Sequence, residues 1–218
     1  MTGWKAAARG SQLALLGFQD DATSQILAAH FQLEPENTRG YLRILHHLIT
    51  SQGIPLSLYR DRHNIFQRND VHWTLAEQLV GKQTPTQLGR ALEQLGMAQI
   101  PAYSPQAKGR IERVWRTCQD RLVSELRLAQ ATTLPQANAV LKRFCSDYNR
   151  RFARPATDAA CDFRVLPRRF QLARCLSLQY QRRGRRSRRS PGPHTPLCCH
   201  RYPLIVATPE KPSKSPIN

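Results

Sequence analysis

The first part of the chain alternates apolar runs with turn-forming residues. Residues 11–18 form a strongly apolar run, residues 20–24 (DDATS) favour a turn, and residues 26–33 form a second apolar run. Two apolar runs joined by a short turn predict a β-hairpin.

A helix and a strand are predicted next. Asn37 or Thr38 suits the N-cap of a helix, and Gly53 suits its end. The apolar positions between them recur at helical spacing: Tyr41, Leu42, Leu45, Leu48 and Ile49. Residues 54–59 then return as a strand, and Asp61 follows just past its C-terminal end. Ligands gather at such strand ends in open α/β sheets, so Asp61 is a candidate site residue.

A polar stretch separates this strand from the next helix. Residues 62–83 have weak periodicity and predict mostly loop, with a short helical turn near residues 75–79. The Thr84-Pro85 pair predicts a helix start, and Gly96 predicts the end of that helix. Residues 98–103 then predict a short strand.

Two longer helices complete the predicted domain. The first opens at Ser104-Pro105, and its apolar stripe consists of Ile111, Val114, Trp115, Cys118, Leu122 and Leu126. The second starts at Thr133 and Pro135, and its inward positions are Ala137, Leu141, Phe144 and Tyr148. The resulting order, β-β-α-β-α-β-α-α, is that of an α/β three-layer domain.

The character of the chain changes after about residue 182. Residues 182–189 (RRGRRSRR) are followed by seven prolines and almost no periodicity. Such a segment cannot bury enough apolar surface to offset its ordering entropy. We therefore predict a core domain over residues 1–155, a linker and the start of a C-terminal region over 156–181, and a disordered Arg/Pro-rich tail over 182–218.

Charge narrows the class of partner. The chain has 33 Lys and Arg against 15 Asp and Glu, a formal net charge of +18, of which residues 1–181 carry +10. A basic surface implies an anionic partner such as nucleic acid. No apolar run approaches the roughly 20 residues of a membrane span, which predicts a cytoplasmic protein without membrane association. The six cysteines lack Cys-x-x-Cys spacing, so reduced thiols are expected.

The candidate chemistry lies on the helix after Ser104. Glu112 is surrounded there by cations: Lys108, Arg110, Arg113 and Arg116. Asp61 and Glu112 could share divalent metal ions, and these cations could hold a nucleic-acid backbone beside them. The alternatives are local hydrogen bonding for Asp61 and an ordinary solvated helix face for the cations.

Four segments together carry a family resemblance. They are residues 16–23 (LGFQDDAT), 59–66 (YRDRHNIF), 104–115 (SPQAKGRIERVW) and 148–155 (YNRRFARP). With them the chain resembles the integrase catalytic core of DDE transposases and retroviral integrases, most closely insertion-sequence transposases of the ISNCY type.

The resemblance implies an RNase H-like three-layer fold with a mixed sheet, in which Asp61 and Glu112 are the second and third metal-binding carboxylates. The implied cofactor is Mg²⁺ or Mn²⁺, and the implied partner is DNA. In the family the first catalytic Asp precedes the segment matched by residues 3–10. We therefore expect the first strand to be missing, the chain to be truncated at both ends, metal to be bound weakly, and the chain alone to be inactive.

The resemblance thus predicts a fragment of a DNA transposase, whose intact parent performs DNA integration by two-metal phosphodiester strand transfer. A non-catalytic basic DNA-binding protein that modulates full-length transposase is the alternative, and a small RNA-binding protein is a third hypothesis. Further copies of the chain or full-length transposase are the protein partners these hypotheses imply. We expect Asp20 and Asp21 to serve the hairpin turn and Trp115 to lie in the core.

Overall fold

The structure is a computed structural model that describes residues 4–5, 12–60, 63–68, 70–102, 105–156 and 162–180. The predicted hairpin is confirmed. It forms a three-stranded antiparallel sheet of β1 (Trp4–Lys5), β2 (Gln12–Gln19) and β3 (Ile26–Gln32), in the order β1-β2-β3.

The β2–β3 hairpin separates two layers because its side chains alternate between its faces. Leu15 lies opposite Phe31, and both pack on the side of the last two long helices. Leu16 lies on the other side, where it approaches helix α1 (Thr38–Gln52) at Gly40. Asn37 caps α1 by accepting a hydrogen bond from Gly40 N, as its sequence position predicted.

The strand predicted over residues 54–59 is split in two. β4 (Ile54–Pro55) pairs antiparallel with β7 (Phe163–Arg164), whereas β5 (Ser57–Arg60) pairs in parallel with β6 (Ala98–Pro101). Pro55 has no N–H to donate to a ladder, which favours a break at this point.

The segment between β5 and β6 contains two short helices. The first, α2 (Leu75–Val80), lies where the sequence predicted a helical turn. The second, α3 (Gln87–Gln94), is capped by Thr86 and not by the predicted Thr84. Thr86 Oγ1 accepts from Gly89 N, while Thr84 N donates to the carboxylate of Glu77 in the preceding helix, α2.

The outer helical layer consists of α4 (Pro105–Leu128) and α5 (Leu134–Phe152). Thr133 caps α5 in a capping box with Gln136. The two helices bury their apolar stripes against the hairpin, in a core cluster formed by Leu13, Ile26, Phe31, Val114, Cys118, Leu122, Leu126, Ala131, Ala137, Val140, Leu141 and Tyr148.

Two asparagines of α5 bind the outer edge of β3. Asn149 Oδ1 accepts from Ile26 N at 2.8 Å, and its Nδ2 donates to Ile26 O at 2.9 Å. Asn138 does the same with Phe31, at 2.9 and 3.2 Å. An unpaired strand edge exposes backbone donors and acceptors, and these two side chains satisfy them at both ends of β3.

Residues after α5 pack on the same compact unit, which extends to Leu176. A short helix, α6 (Leu172–Cys175), is followed by the buried Leu176, and Cys175 O accepts from Arg90 Nη2 of α3 at 3.2 Å. The domain boundaries given above stay a prediction. The tail over residues 182–218 lies outside the described residues.

The predicted α/β architecture is confirmed: α1 lies on one face of the hairpin, and α4 and α5 lie on the other. The predicted mixed sheet is divided among the described residues into an antiparallel sheet of three strands, the antiparallel pair β4–β7 and the parallel pair β5–β6. In the described part of the chain, no helix combines the length and apolarity that crossing a bilayer requires.

Candidate metal and nucleic-acid site

The parallel pair β5–β6 brings two strand ends together. Arg60 lies opposite Pro101, and Ala102 N donates to Arg60 O at 2.8 Å. Both strands run in the same direction, so the segments that leave their carboxyl ends start at one edge of the sheet. Asp61 is the next residue after Arg60 in the sequence and lies outside the described residues.

Arg60 is a residue that the sequence analysis missed. Its side chain is only 8% exposed, although it is charged. Its Nε donates to Gln99 Oε1 of β6 at 3.1 Å, and its Nη2 donates to Gln67 Oε1 at 2.6 Å. A buried guanidinium needs such partners. These bonds connect the end of β5 with the neighbouring strand β6 and with the segment that contains Gln67. Arg60, which makes both bonds, directly precedes Asp61 in the sequence.

A signal for this burial was present in the sequence. Arg60 and Leu58 stand two positions apart in the strand, so a period of two places them on one face of the sheet. The exposed positions Ser57 and Tyr59 occupy the other face. Strand periodicity is therefore compatible with an inward Arg60, but no sequence pattern marks Gln99 and Gln67, the partners that a buried guanidinium requires.

Glu112 lies on the solvent-exposed part of α4, about two turns after Pro105. Arg113 and Arg116 are exposed on the same helix. Within the described part of the chain, the Glu112 carboxylate has no hydrogen-bond or ion-pair partner. Lys108 and Arg110 belong to α4, but their side chains lie outside the described residues.

The apolar stripe of α4 fixes the orientation of this exposed face. Val114, Cys118 and Leu122 recur every four residues and are buried in the core. Trp115 packs against the same core, next to Gly17 of β2, where a Cβ atom would lie 2.7 Å from Trp115 Cη2. The expectation that Trp115 is a core residue is confirmed, which leaves Glu112 on the outward part of the helix.

The Asp20 carboxylate has a structural role in the hairpin turn. Asp20 Oδ2 accepts hydrogen bonds from Thr23 N at 2.8 Å and from Thr23 Oγ1. Arg154 N, which follows α5, donates to Thr23 O at 2.9 Å. Asp20 therefore closes the turn, as predicted for an Asp at this position.

The described part of the chain contains one carboxylate of the candidate metal site, that of Glu112. Mg²⁺ and Mn²⁺ prefer oxygen ligands, and Glu112 offers an exposed carboxylate. Among the described residues, however, no group of three or more His, Cys, Asp or Glu side chains is arranged to hold a metal ion. The assignment of Asp61 and Glu112 as metal ligands stays a prediction.

The described cysteines are free thiols, namely Cys118, Cys145 and Cys175, as the spacing predicted. Burial raises the pKa of the Cys118 thiol to about 12 and that of Cys145 to about 11. Neither group is a thiolate near neutral pH, so neither is a soft ligand or nucleophile there.

Comparison with known proteins supports the sequence resemblance. The chain is 39% identical over 145 residues to "Putative transposase y4bF" of Sinorhizobium fredii. The matched region covers 66% of this chain and 30% of the relative. It is 33% identical over 133 residues to the transposase for insertion sequence IS1202 of Streptococcus pneumoniae. This match covers 61% of this chain and 28% of the relative. The predicted resemblance to insertion-sequence transposases is confirmed.

The chain spans about three tenths of the length of these curated relatives. A solved structure, the catalytic core domain of BIV integrase, aligns with 64% of this chain and 83% of its own, at 17% sequence identity and a TM-score of 0.39. No protein-family model matches the sequence.

Proposed function

We propose that this chain supplies part of the catalytic centre of a DNA transposase. In this proposal Asp61 and Glu112 bind a divalent cation, and the basic face of α4 holds the DNA backbone beside it. The supporting observation is the parallel pairing of β5 with β6: Asp61 is the next residue in the sequence after β5, and Glu112 lies on α4, the helix that follows β6. The sequence similarity to two insertion-sequence transposases gives this geometry its function.

The metal part of the proposal concerns Mg²⁺ or Mn²⁺. Two carboxylates can hold one such ion, with water as its remaining ligands, and they hold it weakly. When bound, the ion would activate a water or hydroxyl group and stabilise charge on a phosphodiester oxygen. Arg60 keeps the end of β5 in place through Gln99 and Gln67, so it would position the neighbouring Asp61.

The DNA part of the proposal is electrostatic. Arg113 and Arg116 are exposed on the helix that carries Glu112, and residues 1–181 have a net charge of +10. Contacts of this kind go to phosphates, so binding is independent of base sequence and weakens with salt. Lys108 and Arg110 would extend the same surface by one to two turns.

A non-catalytic DNA-binding protein that modulates full-length transposase is the second candidate. It needs the same exposed arginines but no metal ion. The two candidates differ in one property: only the first couples metal binding to DNA binding. Inactivity of the chain alone and a cytoplasmic location remain predictions under either candidate.

The coupling can be measured as duplex-DNA affinity with and without Mn²⁺. The ion should raise the affinity for DNA, because it would bridge the carboxylates and the phosphate backbone. By linkage, DNA should raise the affinity for Mn²⁺ by the same factor. Glu112→Gln should abolish the Mn²⁺ dependence. Its affinity without metal should increase slightly, since a negative charge near the phosphates is removed, so the ratio of affinities is the informative quantity.

Glu125→Gln is the matched control. Glu125 is exposed on the same helix, about 20 Å further along its axis at 1.5 Å per residue. This variant should retain the full Mn²⁺ dependence. A Mn²⁺ effect that survives in Glu112→Gln contradicts the metal assignment, and its absence from the unmodified protein favours the non-catalytic candidate.

A further inference from the structure

Large apolar side chains that face solvent concentrate around α2. Five of them lie within residues 71–80 and together form what we call the α2 patch: Val71, Trp73, Leu75, Leu79 and Val80. Val71 is 96% exposed and Leu79 is 81% exposed. Single exposed apolar residues are normal on a protein surface, but a concentration of them in one short segment indicates an interaction site.

The α2 patch is held by a buried carboxylate. Glu77 lies on the inner side of α2, where its Oε1 accepts from Arg68 Nη1 and from Thr84 N, both at 2.7 Å. Its Oε2 accepts from Thr74 N at 2.9 Å, which completes the capping box of the helix. With Glu77 directed inward and bonded, Leu75 and Leu79 lie one turn apart on α2 and remain exposed.

The base of this segment is closed by further hydrogen bonds. Gln83 Nε2 donates to Asp70 O at 3.0 Å, and Arg68 Nη2 donates to His72 O at 2.9 Å. Lys82 N donates to Glu77 O at 3.2 Å. The apolar side chains are therefore presented by a fixed segment, so a partner would not have to order it on binding.

The charge distribution indicates which partner fits. Residues 69–81 contain no Lys or Arg, in a chain whose net charge is +18. Their two acids, Asp70 and Glu77, both pair with Arg68. DNA is attracted to Lys and Arg, so it has little reason to bind here. Two copies of so basic a chain repel one another, and the neutral α2 patch is a place where they can meet with little repulsion.

We propose that two copies of this chain associate through the α2 patch. The contact would be isologous, with Leu75 and Leu79 of one copy against the same residues of the other. Five side chains cover less than the roughly 800 Å² per partner of a standard stable interface, so the dimer should be weak and reversible. Its dissociation constant should be about 10 µM or weaker, because even interfaces of standard size extend to micromolar affinity.

Sedimentation equilibrium of the full chain, freed of nucleic acid, tests the proposal over about 1 to 200 µM, a range that covers weak association. The patch variant is Leu75→Gln with Leu79→Gln. The matched control is Leu128→Gln with Val165→Gln, which also replaces two apolar residues, exposed by 81% and 90%, but outside the α2 patch. Gln is a good helix former, so α2 should persist.

The expected result is a dimer in the full chain and in the control, with at least tenfold weaker association in the patch variant. Added salt should strengthen the association, because it screens the repulsion between the two basic copies. A photo-crosslinking residue at position 79 should yield crosslinked dimer, and the same residue at position 128 should not. This second measurement does not depend on the folding of the double variant.

Three results would overturn the proposal. The full chain could remain monomeric over the whole range, or the patch variant could associate as strongly as the control. The patch variant could also lose DNA affinity in the concentration range where the chain is monomeric, which would place the α2 patch on the DNA surface instead. None of these results depends on a metal ion, so the proposal stands or fails apart from the proposed transposase chemistry.

Discussion

Replacement of Asn149 by Ala is expected to loosen the hairpin from the helical layer. Asn149 bonds both backbone groups of Ile26, at 2.8 and 2.9 Å, and Ile26 is only 5% exposed. The variant removes both bonds and leaves a buried N–H and a buried C=O without this partner. Asn149 lies in residues 148–155, one of the four segments that carry the family resemblance. Its bonds to Ile26 give this residue a structural role.

The magnitude follows from the two lost bonds. A backbone group left unsatisfied costs about 1–3 kcal/mol, so two of them near the protein surface cost about 2–4 kcal/mol. Ala is a better helix former than Asn by roughly 0.5 kcal/mol, which offsets part of that loss within α5. The free energy of unfolding should therefore fall by about 2–3 kcal/mol.

Urea denaturation followed by circular dichroism measures this change. With a slope of about 1–3 kcal/mol per molar urea, the midpoint should fall by about 1 M or more. Asn138→Ala, which removes the equivalent bonds to Phe31, should have a similar effect. The two bonded strand residues lie about 17 Å apart along β3, so the two losses should add in the double variant.

Ser146→Ala is the control on the same helix. The Ser146 hydroxyl is exposed and bonds only the carbonyl of Lys142 within α5, so its loss should change the free energy of unfolding by less than about 0.5 kcal/mol. If Asn149→Ala unfolds at the same urea concentration as Ser146→Ala, the clamp on the β3 edge does not stabilise the fold and the reasoning is refuted.

Three further predictions concern other parts of the chain. Gly17→Ala should lower the free energy of unfolding by about 1–3 kcal/mol in the same urea assay, because its Cβ would lie 2.7 Å from Trp115; an unchanged midpoint would mean that α4 moves freely. Hydrogen bonds from backbone N–H groups lower the pKa of Glu77 from 4.5 to about 2, so its contribution to stability is complete above about pH 4.5 and is lost as the pH falls through 2. Glu77→Gln should reduce the slope of the urea midpoint against pH in that window, and an equal slope in both proteins would count against this role. Charge reversal of Arg113 and Arg116 should lower the slope of log DNA affinity against log salt by about 2, and an unchanged slope would remove α4 from the DNA surface.

Local sequence signals accounted for the elements whose determinants are local. The hairpin, the Asn37 cap of α1 and the Thr133 cap of α5 each depend on residues within a few positions of one another. The apolar stripe of α4 also identified the core side of that helix correctly for its described residues. The outward position of Glu112 follows from that stripe, so this part of the candidate site was predictable.

The features that the sequence did not predict depend on distant partners. The split between β4 and β5 requires β7, more than 100 residues away, to pair with Ile54 and Pro55. The true cap of α3 is Thr86 because Glu77 already engages Thr84. The burial of Arg60 depends on Gln99 and Gln67, and neither partner is marked by a pattern in the sequence.

The central claim, that Asp61 and Glu112 together bind a divalent metal ion, is tested most directly by calorimetric titration with Mn²⁺. We predict one weak site in the unmodified chain, lost in Asp61→Asn and in Glu112→Gln. Asp20→Asn is the control and should retain the site, because Asp20 is engaged with Thr23 and Asn supports the same turn. A titration curve that Glu112→Gln leaves unchanged, or two tight sites in the unmodified chain, would contradict the account.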